Sequence, residues 1–295
     1  MKPSPFEYHR PETVEEAVTL LEDLSDAELM AGNQSLGIVM ANRLATPEHI
    51  VDVNGVDELS YIDAGADAVE VGSLARHRDI ETAPALKQNY TVLSEAAGQI
   101  AGPTVRNRGT LGGSIGEADP AGNYPCVLIA MGGEVELAST DGRRTVDADD
   151  YFVAYMMTDI EEAELITAAR LPRHPFPASR TGMAFLGQKR AAQTWPTLSV
   201  AGAVRVDTPD AADPVVEEAR IGLANAADVP LRVEAIEDAV EGAPLTDATL
   251  DDAGAVAYDR VRPQAEMHAD ETYKRELARE YTKRTLRTAY DRAVA

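Results

Sequence analysis

The most informative stretch of the chain is Gly102-Pro103-Thr104-Val105-Arg106-Asn107-Arg108-Gly109-Thr110-Leu111-Gly112-Gly113-Ser114. It is rich in glycine and arginine and has no helix or strand periodicity, which predicts a loop. Because glycine lacks a Cβ, backbone N–H groups in such a loop can approach an anion closely. Thr110 and Ser114 add hydroxyl groups that can bind phosphate or sugar. The segment 109–116 is therefore a candidate anion-binding loop.

A second glycine-bearing loop lies nearer the N-terminus, between a predicted strand at 28–31 and a predicted helix at 36–44. It has the sequence Ala31-Gly32-Asn33-Gln34-Ser35-Leu36-Gly37. A helix that begins after such a loop adds about half a positive charge at its N-terminus. Two such loops in one domain fit a long ligand with a pyrophosphate at its middle, although either loop alone could be an ordinary tight turn.

The standard glycine motifs do not match these loops. Neither loop has the G-x-G-x-x-G spacing of a Rossmann fingerprint, and Ile38 stands where a P-loop requires lysine. Gly112 to Gly116 match the G-x-S-x-G nucleophile elbow around Ser114. An elbow serine follows a buried apolar strand, whereas polar residues at 106–110 precede Ser114, so a serine hydrolase is disfavoured.

The composition is strongly acidic. The 295 residues include 50 Asp and Glu against 27 Lys and Arg, a formal net charge of −23, and 44% are hydrophobic. The apolar share supports a folded core, the length allows two domains, and the charge disfavours nucleic acid and anionic membranes as partners. Only five of the basic residues are lysines, which indicates a salt-loving cytoplasm, with an acidic mesophile protein as the alternative.

The single cysteine, Cys126, lies in an apolar run and is predicted to be a buried, unreactive thiol. One cysteine excludes a disulfide framework, a cysteine zinc site and a thiolate-held iron–sulfur cluster within this chain. The five histidines show no helical metal spacing, so no metal site is predicted. The sequence has no recognisable signal peptide or membrane-spanning segment, which predicts a cytoplasmic protein.

Other side chains that could carry chemistry have a plainer interpretation. Glu117 and Asp119 are expected to be solvated acidic groups rather than a catalytic acid pair. Met156, Met157 and Trp195 are expected to fill the core or an interface.

A proline-rich segment at 171–177 divides the chain into two parts. In the first part, short strands alternate with helices predicted at 12–24, 36–44 and 86–100, and a hairpin is predicted around Asp141-Gly142. In the second part, strands at 183–188, 197–206 and 217–223 precede helices at 231–241, 246–260 and 271–293. This order predicts an α+β C-terminal domain over 178–295, after an N-terminal domain over 1–174.

Together, the two loops resemble those of the FAD-binding middle subunits of molybdenum-containing hydroxylases, which include aerobic carbon monoxide dehydrogenase and xanthine dehydrogenase. The family's first loop is similar to Ala-Gly-Gly-Gln-Ser-Leu, which corresponds here to residues 31–36. Its second loop is similar to Val-Arg-Asn-Arg-Gly-Thr-Ile-Gly-Gly-Asn, which corresponds to residues 105–114. Further similar stretches lie at 47–52, 71–77 and 118–125, and the resemblance covers almost the whole chain.

The resemblance implies an α+β fold in which two α/β subdomains, about 1–55 and 56–174, form a PCMH-type FAD-binding domain. The C-terminal domain over 178–295 resembles that of carbon monoxide dehydrogenase flavoproteins. The first loop should cradle the FAD pyrophosphate, the second should hold its other side, and Phe185 should lie near the flavin ring. The resemblance places these residues at FAD: Met30, Ala31, Gly32, Asn33, Gln34, Ser35, Leu36, Gly37, Ile100, Thr110, Leu111, Gly112, Gly113, Ser114, Asn123, Ile166 and Phe185.

The resemblance also implies an oxidoreductase subunit that binds FAD, accepts electrons from an iron–sulfur subunit and passes them to an external acceptor. The [2Fe-2S] clusters and the molybdenum cofactor would lie in a small and a large partner subunit, within a dimer of heterotrimers. No side chain of this chain is expected to act as a catalytic acid or base. The alternatives are a flavin-less scaffold subunit of such a complex and a stand-alone flavoenzyme of the same superfamily.

Four positions depart from the family pattern. Asn33 replaces the commoner glycine, Ser114 replaces asparagine, Asn123 replaces aspartate, and Gly187 stands where many relatives have lysine. Asparagine tolerates the left-handed conformation better than other non-glycine residues, so the first loop is expected to keep its shape. The four changes together motivate the scaffold alternative.

Overall fold

The computed structural model describes residues 2–173 and 176–295. The N-terminal layer consists of β1 (Glu7–His9), α1 (Val14–Asp23), β2 (Ala27–Met30), α2 (Leu36–Ala41) and β3 (His49–Asp52). Its three strands form a parallel sheet in the order β1-β3-β2. The helices predicted at 12–24 and 36–44 are confirmed, and the Thr13 hydroxyl caps α1 by accepting the Glu16 N–H at 3.1 Å.

The second layer is built around an antiparallel sheet. Its elements are β4 (Ile62–Ala64), β5 (Ala68–Gly72), α3 (His77–Thr82), α4 (Pro84–Asn89), α5 (Thr91–Gly98), α6 (Pro103–Arg106), α7 (Leu111–Glu117), α8 (Asn123–Met131), β6 (Glu134–Ser139), β7 (Gly142–Asp147), α9 (Ala148–Tyr151), β8 (Phe152–Ala154), β9 (Met157–Thr158) and β10 (Leu165–Pro172). The sheet order is β4-β5-β10-β6-β7, and β8 and β9 form a separate hairpin. The hairpin predicted around Asp141 is confirmed, because Ser139 pairs with Gly142.

Two sequence predictions in this layer are wrong. The helix predicted over 86–100 is two helices, α4 and α5, which meet at the buried Tyr90, where φ is −150° and ψ is 53°. The loop predicted over 102–114 contains α6 and the start of α7. Glycine has a low helix propensity, which hid α7 from a sequence-based prediction. The structure needs glycine there, because a Cβ on Gly112 would lie 2.6 Å from that of Ser73.

The C-terminal layer combines a second antiparallel sheet with three helices. Its elements are β11 (Thr181–Lys189), β12 (Pro196–Val206), β13 (Val216–Ala224), β14 (Leu231–Arg232), α10 (Glu234–Asp238), α11 (Asp247–Arg260) and α12 (Glu271–Ala293). The sheet order is β11-β12-β13-β14, so the three predicted strands are confirmed and β14 is added. Helix α12 packs directly on this sheet, since a Cβ on Gly182 would lie 1.9 Å from the Ala289 carbonyl oxygen.

The C-terminal sheet is covered on both faces. One face contributes Ala184 and Val200 to a core shared with α12. The opposite face contributes Met183, Phe185 and Ala201 to the core of the second layer. The second and third layers therefore share a continuous apolar interface, and this interface fixes where β11 lies relative to α5.

Cys126 is fully buried on α8 at this interface. Its Sγ–H donates to the Gly222 carbonyl oxygen at 3.3 Å, and burial raises the pKa of the thiol to about 12. A buried, protonated thiol is a poor nucleophile, which confirms the prediction for this residue.

The domain limits 1–174 and 178–295 stay predictions. His174 and Pro175, in the predicted proline-rich boundary, lie outside the described residues. Within the described ranges, no helix combines the length and the apolar character that a membrane crossing requires.

Three large side chains expected in the core or an interface lie at the surface. Met156, Met157 and Trp195 are 47%, 57% and 55% exposed. The core interpretation is therefore wrong for them, and a role in an interface stays a prediction.

Candidate functional site

The first glycine-bearing loop joins the carboxyl end of β2 to α2. Asn33 is exposed and has a φ of +56°, in the left-handed region, as its replacement of glycine predicted. The Gln34 amide donates to the Gly32 carbonyl oxygen at 2.8 Å. Ser35 begins α2 without making a side-chain capping bond. The loop therefore keeps its turned shape through its own residues.

The second glycine-bearing segment is the start of α7. The Thr110 Oγ1 caps this helix by accepting the Gly113 N–H at 3.1 Å. The Gly112 N–H donates to the Ser73 carbonyl oxygen at 2.8 Å, which fixes the segment to the turn after β5. Ser114 lies inside the helix rather than at a strand-to-helix elbow, so the structure contradicts a hydrolase nucleophile at this position.

The two segments touch each other. A Cβ on Gly32 would lie 2.4 Å from the Arg108 carbonyl oxygen and 2.7 Å from the Gly109 Cα, which is too close for any side chain. The loops predicted separately from the sequence thus form one site between the first and second layers.

Glu117 and Asp119 are not the solvated groups that the sequence interpretation expected. Both are half-buried, and burial raises the pKa of each carboxyl group. The Asp119 Oδ1 accepts the Ala121 N–H at 2.8 Å and stabilises the turn after α7. Overall acidity does not show where the chain folds back on itself, so composition alone could not predict this burial.

Asn54 and Arg76 hold the two segments together, and the sequence interpretation assigned a role to neither. The Asn54 Nδ2 donates to the Ala31 carbonyl oxygen at 2.7 Å, and its Oδ1 accepts from the Arg76 Nη2 at 2.6 Å. The Arg76 Nη1 donates to the Arg108 carbonyl oxygen. Asn54 follows β3 at the sheet edge where β2 also ends. That position is a signal for ligand-site residues in parallel sheets and could have identified it.

Two isoleucines implied to contact FAD lie near these segments. Ile166 on β10 packs beside α7, since its Cδ1 would lie 3.3 Å from a Cβ on Gly116. Ile100 follows α5 and is half-buried, and its carbonyl oxygen accepts from the Arg106 Nη1 at 3.0 Å. Arg106 therefore fixes the backbone that presents Ile100.

Phe185, which the resemblance places near the flavin ring, is enclosed in the core. Its side chain is 1% exposed and belongs to the apolar core. Its N–H donates to the Glu95 Oε2 at 2.9 Å, and its carbonyl oxygen accepts from the Gln99 Nε2 at 2.8 Å. These bonds tie β11 to α5, and contact between Phe185 and the flavin ring stays a prediction.

Asn123 is buried at the start of α8. Its Nδ2 donates to the Ala96 carbonyl oxygen at 2.8 Å. An ionised aspartate could not donate this hydrogen bond. The replacement of the family's aspartate therefore gives a side chain that ties α8 to α5.

Gly187 stands where many relatives have lysine, and the Lys189 side chain lies nearby. A Cβ on Gly187 would lie 2.6 Å from the Ser199 Oγ and 3.0 Å from the Gln99 Oε1, so a longer side chain would displace its neighbours. The Lys189 Nζ donates to the carbonyl oxygens of Gln99 and Ala192, each at 2.7 Å. Burial, aided by the charge of a nearby arginine, lowers the pKa of Lys189. Its ammonium group thus lies next to the 99–100 backbone, but it is used in main-chain hydrogen bonds.

The geometry fits a pyrophosphate-bearing cofactor. Close packing of Gly32 on Arg108 and Gly109 brings main-chain groups of both segments together, and a side chain at position 32 would collide with this backbone. Asn33 and Gly113 are exposed beside this contact. Arg76 adds positive charge beside it in a chain that is otherwise acidic. That residues 30–37 and 110–114 hold FAD stays a prediction.

Comparison with known proteins supports the same interpretation. A family described as "FAD binding domain in molybdopterin dehydrogenase" matches residues 4–174, and one described as "CO dehydrogenase flavoprotein C-terminal domain" matches residues 183–289. The chain is 36% identical to the carbon monoxide dehydrogenase medium chain of Hydrogenophaga pseudoflava, over 99% of both chains. It is 33% identical to the nicotine 6-hydroxylase medium subunit of Paenarthrobacter nicotinovorans, over 97% of this chain and 98% of that one.

Solved structures show the same similarity along the whole chain. The carbon monoxide dehydrogenase of Hydrogenophaga pseudoflava matches with a TM-score of 0.92 at 38% identity, over 99% of each chain. Quinoline 2-oxidoreductase from Pseudomonas putida 86 matches with the same TM-score at 27% identity, over 100% of each chain. The chain therefore belongs to the FAD-binding medium subunits of the molybdenum hydroxylases, a family of oxidoreductases, and FAD is its cofactor.

Proposed function

We propose that this chain is the electron-transfer subunit of a heteromeric molybdenum hydroxylase. It accepts electrons from an iron–sulfur subunit and passes them to an external acceptor. The observation that carries the proposal is the contact between the two glycine segments, where Gly32 packs on Arg108 and Gly109. Full-length similarity to medium chains of several dehydrogenases and hydroxylases supports it.

In this proposal the FAD contacts are made by residues 30–37 and 110–114, together with Ile100, Asn123, Ile166 and Phe185. Backbone N–H groups of both segments bind the pyrophosphate, because glycine allows close approach. Asn54 and Arg76 act as positioning residues whose hydrogen bonds hold the two segments together. Bound FAD supplies the electron-carrying chemistry, while the chain orients it and shields it from water.

The partners in this proposal are a small iron–sulfur subunit with [2Fe-2S] clusters and a large subunit with the molybdenum cofactor. The single cysteine supports this division, because Cys126 is buried and one thiolate cannot hold a cluster. We extend the proposal to an FAD-binding domain over 1–174, a C-terminal domain over 178–295, a cytoplasmic location and a dimer of heterotrimers.

Electron transfer between purified chains tests the proposal. The FAD-loaded chain is mixed in a stopped-flow instrument with a reduced two-cluster iron–sulfur subunit from the same organism, and the flavin absorbance is followed. We expect the bound flavin to lose its oxidised absorbance faster than free FAD does under the same conditions. A stable complex without flavin reduction would favour a scaffold role in place of electron transfer, and failure to form any complex would favour a stand-alone flavoenzyme.

A further inference from the structure

Glu7, His9 and His49 lie together at the edge of the N-terminal sheet. Strands β1 and β3 pair in parallel, with Glu7 opposite His49. His9 lies two residues after Glu7, so the side chains of both leave the same face of β1. Helical spacing between histidines does not reveal this group, because the sheet brings together residues about forty positions apart in the chain.

The distances within the group are those of a metal-binding set. The His9 Nε2 and His49 Nδ1 are 3.1 Å apart, and the His49 Nδ1 and Glu7 Oε2 are 3.7 Å apart. One ligand atom from each of the three residues lies within 4.8 Å of the other two. Tetrahedral zinc, with bonds of about 2.0–2.1 Å, has ligand atoms about 3.3 Å from each other. The two separations given above bracket this value, so the ligand atoms lie near the spacing that a bound ion requires.

The donor set and its exposure also suit a metal ion. Two imidazoles and one carboxylate are ligands that zinc and its neighbours in the first transition row prefer. The His49 side chain is 17% exposed and that of Glu7 is 77% exposed. The histidines are thus held by the sheet, whereas the carboxylate side is open to solvent and leaves room for water ligands.

We propose that Glu7, His9 and His49 form a surface site for a divalent transition-metal ion of the zinc class, with water completing the coordination. The ion joins the three-residue edge strand β1 to the central strand β3. Because it binds the folded chain, it stabilises this sheet. The site is independent of the flavin site and of the function proposed above.

Zinc titration of the metal-free full-length chain tests this proposal. Binding is measured by calorimetry in molar KCl, which screens diffuse attraction of cations to the acidic surface. The variants are His9→Ala and His49→Ala, with His268→Ala as the matched control, because His268 is an exposed imidazole in the C-terminal layer. Cobalt(II) absorption gives a second readout, since tetrahedral cobalt bound by imidazole has much stronger visible bands than the octahedral aqua ion.

We expect one zinc ion per chain in the wild type and in His268→Ala, with a rise in the thermal unfolding midpoint that EDTA reverses. His9→Ala and His49→Ala should each lose at least tenfold in affinity, together with the intense visible cobalt bands. Three results would overturn the proposal: no stoichiometric binding by the wild type, binding unchanged in both histidine variants, or an equal loss in His268→Ala.

Discussion

At the scale of single residues, backbone conformation and close packing determine the shape of the site more than side-chain chemistry does. The left-handed conformation of Asn33 could be predicted from the sequence, because few other residues tolerate it. The contact of Gly32 with Arg108 could not, because the two residues are far apart in the chain and the contact exists only after folding. The same reason explains why Asn54 and Arg76 were missed.

The conformation of Asn33 leads to a prediction about the free energy of unfolding. Asn33→Val should lower the free energy of unfolding by about 1–2 kcal/mol, since a β-branched residue is strained at a φ of +56°. Asn33→Gly should leave it within about 0.5 kcal/mol of the wild type, because glycine accepts this conformation. Urea unfolding of the FAD-free chains measures both changes. Equal stability of the valine and glycine variants would contradict the prediction.

The burial of Cys126 makes a reactivity prediction. With its pKa raised to about 12 and no exposed surface, the thiol should resist iodoacetamide at pH 8 in the folded chain. Mass spectrometry should find no adduct in the native protein and one adduct after unfolding in guanidinium chloride. Stoichiometric labelling of the native protein would show that the thiol is accessible.

At the scale of elements, an ion cluster ties β7 to the turn that precedes β10. The Arg144 guanidinium donates to Glu164 and Asp159, in both cases at 2.6 Å, and the Glu161 N–H donates to Glu164 at 2.7 Å. The hydrogen bond from Arg144 is the largest cause that holds the pKa of Glu164 below its usual value of 4.5, and burial opposes it. A lowered folded-state pKa means that the ionised carboxylate stabilises the fold above about pH 4.5. This stabilisation is lost as the pH falls through the folded-state value.

Glu164→Gln should therefore destabilise the chain at neutral pH. We expect a loss of about 2 kcal/mol at pH 7, because charge-assisted hydrogen bonds to Arg144 are weakened. The difference from the wild type should shrink as the pH falls from 4.5 through the lower folded-state pKa, where Glu164 in the folded chain becomes protonated. Denaturant unfolding at several pH values measures this.

The matched control for this prediction is Arg279→Ala. Its ion pair with Glu276 is 3.9 Å long, and the two side chains are 46% and 54% exposed. This variant should cost less than about 0.5 kcal/mol at any pH. A pH-independent loss in Glu164→Gln, or a loss no larger than in the control, would rule out the stabilising role of the cluster.

At the scale of the whole molecule, the relevant features are the acidic net charge and the packing of the three layers. The order of elements in the C-terminal layer could be predicted because its strands and helices follow regular periodicities, as in β12 and α12. The antiparallel pairing of β5, β10 and β6 could not be predicted from the sequence, because β10 is about 90 residues after β5 and only folding brings the strands together. We propose from the composition that the protein works in concentrated salt.

The net charge of −23 makes a prediction about salt. The urea midpoint should rise as KCl increases from about 0.1 M to about 1 M, because the screening length falls from about 10 Å to about 3 Å and self-repulsion weakens. Chloride is used rather than sulfate, because sulfate strengthens apolar burial by itself. A midpoint that is constant or falls with KCl would support the mesophile alternative.

The most direct test of the central claim is the amount of FAD that the chain retains. Wild type, Gly32→Ala and the control Gly254→Ala are mixed with FAD in high salt and desalted, and the flavin-to-protein ratio is read from the absorption spectrum. In the control, the three atoms nearest to an added Cβ belong to the Lys283 and Arg279 side chains of the C-terminal layer. We predict about one FAD per chain for the wild type and the control, and at least a tenfold loss of affinity for Gly32→Ala, because its Cβ forces the two segments apart. Retention of FAD by a folded Gly32→Ala chain at the wild-type ratio would contradict the claim that the two segments together hold the cofactor.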